Sequence, residues 1–205
     1  MKKLTIALLL LAANISTAFA GVTTLNATVN VDNLFDVYLS TSNATEGTLI
    51  GSGSNWGVSN SFSANLTPGV TNYLHVVAVN QGGPGGFLGA FTLSGTDFVF
   101  ANGTETLLTG DAGWGQNLTG FGAPYNATVS EGANGVGPWG YQSAYGSNTP
   151  QWVWNYVSNG SSDTETEYFS AEINPTSPTS VPEPSSIALM GLGLLGLLSL
   201  RKRLG

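Results

Sequence analysis

The sequence predicts an all-β domain, a single β-sandwich or jelly roll, on the basis of three observations. Apolar and polar residues alternate along several short stretches, the period of two expected of strands with one buried face. No stretch of comparable length in the middle of the chain has an apolar period of 3.6. Gly, Pro, Asn and Ser, which form turns, separate the stretches. Many short strands with such turns between them are typical of sandwiches and jelly rolls.

The predicted strands follow one another along the middle of the chain. The clearest covers residues 25–31, where Leu25, Ala27, Val29 and Val31 alternate with polar residues. The others cover residues 35–39, 62–66, 73–79, 87–93, 98–101, 104–108, 152–154 and 168–173.

Two connecting segments are also predicted. The pair Asn102-Gly103 predicts a hairpin between the strands on either side of it, because both residue types tolerate positive φ. Residues 110–147 are rich in glycine and aromatic residues, and we expect them to form long loops on one edge of the sandwich.

The distribution of charge excludes nucleic-acid binding. The five basic residues occupy the two ends of the chain, so residues 4–200 contain neither Lys nor Arg, and there are twelve acidic residues. Such a body cannot neutralise phosphates. The mature protein is therefore expected to be uniformly acidic.

The composition also removes most classes of enzyme. The chain has no Cys and a single His, His75, so neither a Cys-based nor a multi-His metal site can form, and a Ser-His-Asp triad would have to use His75. His75 shares a strand face with Tyr73 and Val77, which favours a buried structural role over a functional one. We therefore expect a protein that is not an enzyme. The alternative is a secreted glycan-cleaving enzyme that uses two carboxylates, with Glu105, Asp111 and Glu131 as candidates.

The N-terminus has the layout of a secretory signal peptide. The two lysines at its start are followed by an apolar run over residues 4–13, and the small residues Ala18 and Ala20 precede Gly21. We predict a signal peptide over residues 1–20 with cleavage after Ala20.

The C-terminus resembles the PEP-CTERM sorting signal of Gram-negative bacteria. Val181-Pro182-Glu183-Pro184 precedes a mostly apolar segment over residues 185–200, which is followed by Arg201-Lys202-Arg203. The resemblance implies recognition by an exosortase in the inner membrane, removal of the tail near the Pro-Glu-Pro triplet, and delivery to the cell surface or the matrix. It also implies a gene that often lies beside exopolysaccharide genes. Residues 185–200 are predicted to form a short transmembrane helix with the basic cluster on the cytoplasmic side.

The predicted domain organisation follows from these two ends. Residues 21–173 form the sandwich, residues 174–181 a Pro/Ser/Thr linker, and residues 182–205 the sorting signal. The precursor is then anchored in the membrane with its body outside the cytoplasm, and the mature form is at the cell surface or secreted. The alternative is a permanently tail-anchored periplasmic protein.

The body resembles galactose-binding-like jelly rolls, the β-sandwich modules of many bacterial glycoside hydrolases and surface proteins. The resemblance rests on residues 32–38, 69–80 and the Gly-Pro loop at 82–86. It implies a jelly-roll fold and does not by itself imply binding.

Two groups of side chains are candidate binding residues. Asp32, Asn33 and Asp36 carry oxygens of the kind that Ca²⁺ prefers, although an Asp-Asn pair at a strand start is also a common turn former. Trp56, Trp114 and Trp139 lie among Gly or Ser, where exposed rings would stack on sugars; the alternative is that they fold back as lids over the sandwich edge.

Together these patterns predict an exported, exosortase-sorted protein of the cell surface or extracellular matrix. Its expected role is structural or carbohydrate-binding, associated with exopolysaccharide and dependent on calcium if the acidic residues bind it.

Overall fold

The computed structural model describes residues 22–155 and 164–176, which form two antiparallel β-sheets packed face to face. The predicted all-β sandwich is therefore confirmed. The predicted signal peptide, residues 177–181 of the linker, and the sorting tail with its membrane segment lie outside the described residues. Within the described residues, no helix has both the length and the apolar character needed to cross a membrane.

Thirteen strands, numbered β1 to β13 in chain order, make up the two sheets in the described part of the chain. The first sheet contains β1 (Thr24–Asp32), β4 (Asn60–Asn65), β6 (Gly86–Leu93), β8 (Thr106–Leu108), β11 (Val129–Ala133) and β12 (Gln151–Trp154). The second sheet contains β2 (Leu34–Ser40), β3 (Thr48–Gly53), β5 (Asn72–Gln81), β7 (Phe98–Phe100), β9 (Trp114–Asn117), β10 (Asn126–Ala127) and β13 (Thr164–Pro175).

The last strand, β13, lies in the middle of the second sheet. It pairs with β5 over ten residues, and with β9 and β7 on its other edge. Its final residues, Asn174 and Pro175, pair with Val99 and Phe98 of β7. The sheet therefore continues two residues beyond position 173, where we expected the linker to begin.

The turn predicted at Asn102-Gly103 forms, and the Phe100 N–H donates across it to the Thr104 carbonyl, but β7 and β8 do not pair further as a hairpin. The Gly103 N–H donates to the Phe100 carbonyl, and Gly103 has a φ of +81°. The flanking strands then diverge, because β7 pairs with β13 and β8 pairs with β6. The turn thus carries the chain from one sheet to the other.

Residues 110–147 are more regular than predicted. They include β9, β10 and β11, and β9 pairs with the central strand β13. The long irregular stretch that remains, residues 134–150 between β11 and β12, contains one 3-10 turn at Ser143–Tyr145. We call residues 134–150 the cover loop.

The core between the sheets is built by alternation along the strands. The inward residues of β1 are Leu25, Ala27, Val29 and Val31, all buried, as the sequence predicted. A second apolar cluster lies on the outer face of the first sheet, where Trp139 and Tyr145 of the cover loop pack against Leu88, Ala90 and Trp152. The cover loop therefore closes over one face of the sandwich.

Close packing of β3 against Phe62 leaves no room for a side chain at Gly51. A Cβ at that position would overlap the Phe62 ring, which packs edge-on against Phe35 with centroids 6.1 Å apart. We expect Gly51→Val to lower the free energy of unfolding by about 1–3 kcal/mol through overpacking. Urea unfolding measures the change, and Ser52→Val, on the exposed face of the same strand, is the control. Equal losses in both variants would contradict the argument.

Candidate functional site

The outer face of the second sheet brings polar and aromatic side chains together. Ser170 of β13 pairs with Gly115 of β9 on one side and with His75 of β5 on the other. His75 in turn pairs with Tyr38 of β2. Paired residues point to the same face, so these four positions form one row across the outer surface.

A cleft of about 420 Å³ opens on this face at the β9 end of the row. We call it the Tyr125 cleft; its polar and aromatic lining comprises Asn43, Trp114, Tyr125, Asn126, Ser170 and Glu172. Glu172 follows Ser170 by two residues on β13, so both side chains point to the same outer face. Asn43 comes from the loop between β2 and β3, and the Ser170 hydroxyl donates to Asn43 Oδ1 at 3.4 Å.

Glycine allows Tyr125 to lie against the sheet. A Cβ at Gly115 would come within 2.7 Å of Tyr125 Cβ, so a larger residue on β9 would displace the ring. The Tyr125 hydroxyl is buried and has no hydrogen-bond partner. The cleft thus combines the Tyr125 ring with two amides, two hydroxyls and a carboxylate within one small space.

His75 is buried beside this cleft, and its contacts are those of a structural residue. Its ring stacks on Phe121 with centroids 4.0 Å apart and planes 8° from parallel. Burial lowers the pKa of His75 to about 4, against a smaller opposing effect of the backbone at Glu46 and Thr45. Neither ring nitrogen has a hydrogen-bond partner. A neutral, covered imidazole of this kind agrees with the structural role expected from the strand face.

The three tryptophans proposed to stack on sugars do not form one surface. Trp114 lies in the main core against Phe87, with ring centroids 5.3 Å apart. Trp139 is buried under the cover loop, stacked on Trp152 with centroids 4.6 Å apart. Trp56 is half-buried and packs against the same outer cluster. Trp139 and Trp56 thus occupy the lid-like positions that we gave as the alternative.

The residues proposed to bind calcium near Asp32 are not brought together. The Trp139 indole N–H donates to Asp32 Oδ2 at 2.9 Å, and the Asn33 amide donates to Asp32 Oδ1. Asn33 Oδ1 accepts the Gln81 N–H. Asp32 faces the cover loop outside the first sheet, whereas Asp36 lies on the outer face of the second sheet beside Tyr38. The two carboxylates are thus on opposite faces of the sandwich.

The candidate acids of an enzyme are dispersed in the same way. Glu105 precedes β8, Asp111 follows it and accepts the Leu108 N–H, and Glu131 lies on the edge strand β11. None of the three lines the Tyr125 cleft. Among the described residues, no group of three or more His, Cys, Asp or Glu side chains is placed to hold a metal ion.

Sequence reasoning missed the most unusual acid of the domain, Glu167. Its side chain is 0% exposed, and neither carboxylate oxygen has a hydrogen-bond partner. Burial, with Glu165 as a smaller contributor, raises the pKa of Glu167 to about 8. The predicted strand began at Tyr168; extending its alternation back from the buried Phe169 would have placed Glu167 on the inward face.

The comparisons with known proteins identify a sorting motif in the tail. The PEP-CTERM protein-sorting motif matches residues 180–203. The match includes Val181, Pro182, Glu183 and Pro184 and the basic residues Arg201, Lys202 and Arg203, so the resemblance described above is confirmed. No curated protein and no solved structure matches the chain.

Proposed function

We propose that this protein is a surface or matrix protein that binds carbohydrate in the Tyr125 cleft and catalyses no reaction. The sorting motif supports the first part, because it marks an exported protein whose membrane-anchored precursor is processed by an exosortase. Exopolysaccharide is the partner that we propose for the mature protein.

The composition of the Tyr125 cleft is the observation that carries the binding proposal. The apolar face of a sugar stacks on aromatic rings. Its hydroxyl groups need both hydrogen-bond donors and hydrogen-bond acceptors. Tyr125 supplies the ring. Asn43 and Asn126 supply amides, and Glu172 supplies a carboxylate that accepts from sugar hydroxyls.

The same cleft argues for binding without catalysis. Glycoside hydrolysis normally needs two carboxylates facing each other across the scissile bond. The described lining of the Tyr125 cleft contains one, Glu172. Glu165 and Glu167 are neighbours on one strand face, and they point between the sheets, away from the cleft.

Tyr125→Ala tests the proposed cleft directly. We expect about a fivefold or greater loss of affinity for the native exopolysaccharide, because stacking of a sugar face on an aromatic ring contributes about 1 kcal/mol or more. Affinity gel electrophoresis or calorimetry with purified polysaccharide measures the change. Tyr141→Ala removes an exposed tyrosine that lies outside the cleft lining and should bind as the unmodified protein does. If Tyr125→Ala kept full affinity, the cleft would not be the binding site. If the unmodified protein did not bind the polysaccharide, the proposal of carbohydrate binding would be wrong.

Processing is tested separately by intact mass. We expect a cell-surface form that begins at Gly21 and lacks residues 185–205. A membrane form that retains Arg201, Lys202 and Arg203 would instead indicate a permanently tail-anchored periplasmic protein.

A further inference from the structure

Glu167 is a buried carboxylate whose oxygens have no hydrogen-bond partner. Glu167 lies on β13 opposite Ala78 of β5, and both residues are fully buried. Its neighbour two positions along, Phe169, belongs to the main core, so the Glu167 side chain points between the sheets. Two buried acceptor oxygens without a donor are unusual in a folded protein and call for a physical explanation.

A second carboxylate lies beside the first and is held in place. Glu165 is on the same inward face of β13, and its Oε2 accepts a hydrogen bond of 3.1 Å from the Trp154 indole N–H. Glu165 is close enough to Glu167 to contribute to the raised pKa of that residue. The amide side chain of Asn80, also buried, stands on the paired position of β5. Oxygen-bearing groups therefore gather where β13 begins.

The chain has no basic residue with which to neutralise these carboxylates. Residues 4–200 contain no Lys or Arg, and the single His, His75, lies on the outward face of β5. An ionised carboxylate kept from water and without a counter-charge is strongly unfavourable. It must therefore hold a proton or contact a cation supplied from outside the chain.

We propose that Glu165 and Glu167 bind a divalent hard cation, Ca²⁺, between the sheets at the start of β13. Both ligands are carboxylates, the oxygen donors that Ca²⁺ prefers, and Ca²⁺ accepts water in its remaining coordination positions. Glu167 contributes two unpartnered oxygens, and Glu165 contributes the oxygen that Trp154 does not occupy. Export places the protein outside the cytoplasm, where binding at low affinity suffices because extracellular modules work at 10⁻⁴–10⁻³ M Ca²⁺.

The site differs from the one first expected near Asp32. The oxygens of Asp32 already accept hydrogen bonds from Trp139 and Asn33. The oxygens of Glu167 accept none. The two sets of residues can be separated by single substitutions.

The test uses the exported protein, purified from its host, freed of metal with EDTA and titrated with Ca²⁺ or Tb³⁺. We expect Ca²⁺ to raise the melting temperature and Tb³⁺ to emit on tryptophan excitation, because Trp154 contacts the site. Glu167→Gln keeps the shape of the side chain and removes its charge. We expect it to raise the Ca²⁺ and Tb³⁺ concentrations needed for the two responses by about tenfold or more. Asp97→Asn, at an exposed acid just before β7 that belongs to neither proposed site, should respond as the unmodified protein does.

Melting in EDTA first establishes that each variant is folded. Loss of both responses in Glu167→Gln alone supports the site. The proposal is overturned if Ca²⁺ and Tb³⁺ have no effect on the unmodified protein, which would leave a protonated Glu167. It is also overturned if Glu167→Gln responds normally, or if Asp32→Asn or Asp36→Asn abolishes the responses instead. Each of these outcomes is independent of whether the Tyr125 cleft binds carbohydrate.

Discussion

Replacing Trp139 by alanine is expected to lower the free energy of unfolding by about 3–5 kcal/mol, the usual cost of removing a buried aromatic ring. The ring stacks on Trp152 and covers the outer face of the first sheet. The indole N–H also donates to Asp32, whose side chain is largely buried. Removal of Trp139 therefore opens a cavity and leaves Asp32 without that donor.

Urea unfolding of Trp139→Ala and Trp139→Phe separates these two effects. The phenylalanine variant keeps most of the ring and loses the donor, and we expect it to cost about 1–3 kcal/mol. Tyr141→Ala, two residues away in the cover loop, is the control, because Tyr141 is 66% exposed and should change stability by no more than about 0.5 kcal/mol. If Trp139→Ala were as stable as Tyr141→Ala, the cover loop would not be part of the folded core.

Stability without divalent cations is expected to fall between about pH 6.5 and pH 8, and Glu167 is the main cause. The pKa of Glu167 is raised from 4.5 to about 8, so between these values the folded state holds a proton that the unfolded state has lost. Its contribution is complete below pH 4.5 and disappears as the pH rises through 8. Glu165 is the titratable group that faces it.

His75 acts in the opposite direction at lower pH. Its pKa is lowered from 6.5 to about 4, so between these values the unfolded state binds the extra proton and stability rises with pH. Below about pH 6.5 the effects of His75 and Glu167 on the pH dependence of stability oppose each other. Above about pH 6.5 only the effect of Glu167 is left.

Chemical unfolding in EDTA from pH 5 to pH 9 tests this dependence. We expect Glu167→Gln to remove the decline between pH 6.5 and pH 8, whereas Glu172→Gln should keep it. A flat profile for the unmodified protein over that range, or an equal flattening by both variants, would show that Glu167 does not hold its proton there.

The sequence was sufficient for the fold class and for the individual strands with clear alternation, such as β1. The sequence was less informative about which strands pair, because strand pairing is decided by contacts between residues that are far apart in the chain. Asn102-Gly103 illustrates the difference: the turn follows from local preferences, but whether β7 and β8 pair depends on β13 and β6.

The candidate sites were harder to predict for the same reason. Trp114 and Trp139 stand among glycines and look exposed in the sequence, and only packing against Phe87 and Trp152 shows that they are buried. The Tyr125 cleft combines residues from the segments around positions 43, 125 and 170, which no local pattern connects. Glu167 is the exception, since the period of two back from Phe169 already places it inside.

The central position of β13 determines when the domain can finish folding. A chain that crosses the membrane with its N-terminus first presents β13 last, and β5, β7 and β9 have no common partner until then. Pairings this distant in sequence form slowly, because a long loop must close before they are made. The sorting motif begins at residue 180, only a few residues after the end of β13 at Pro175. Closure of the sandwich therefore requires almost all of the chain that precedes the sorting motif.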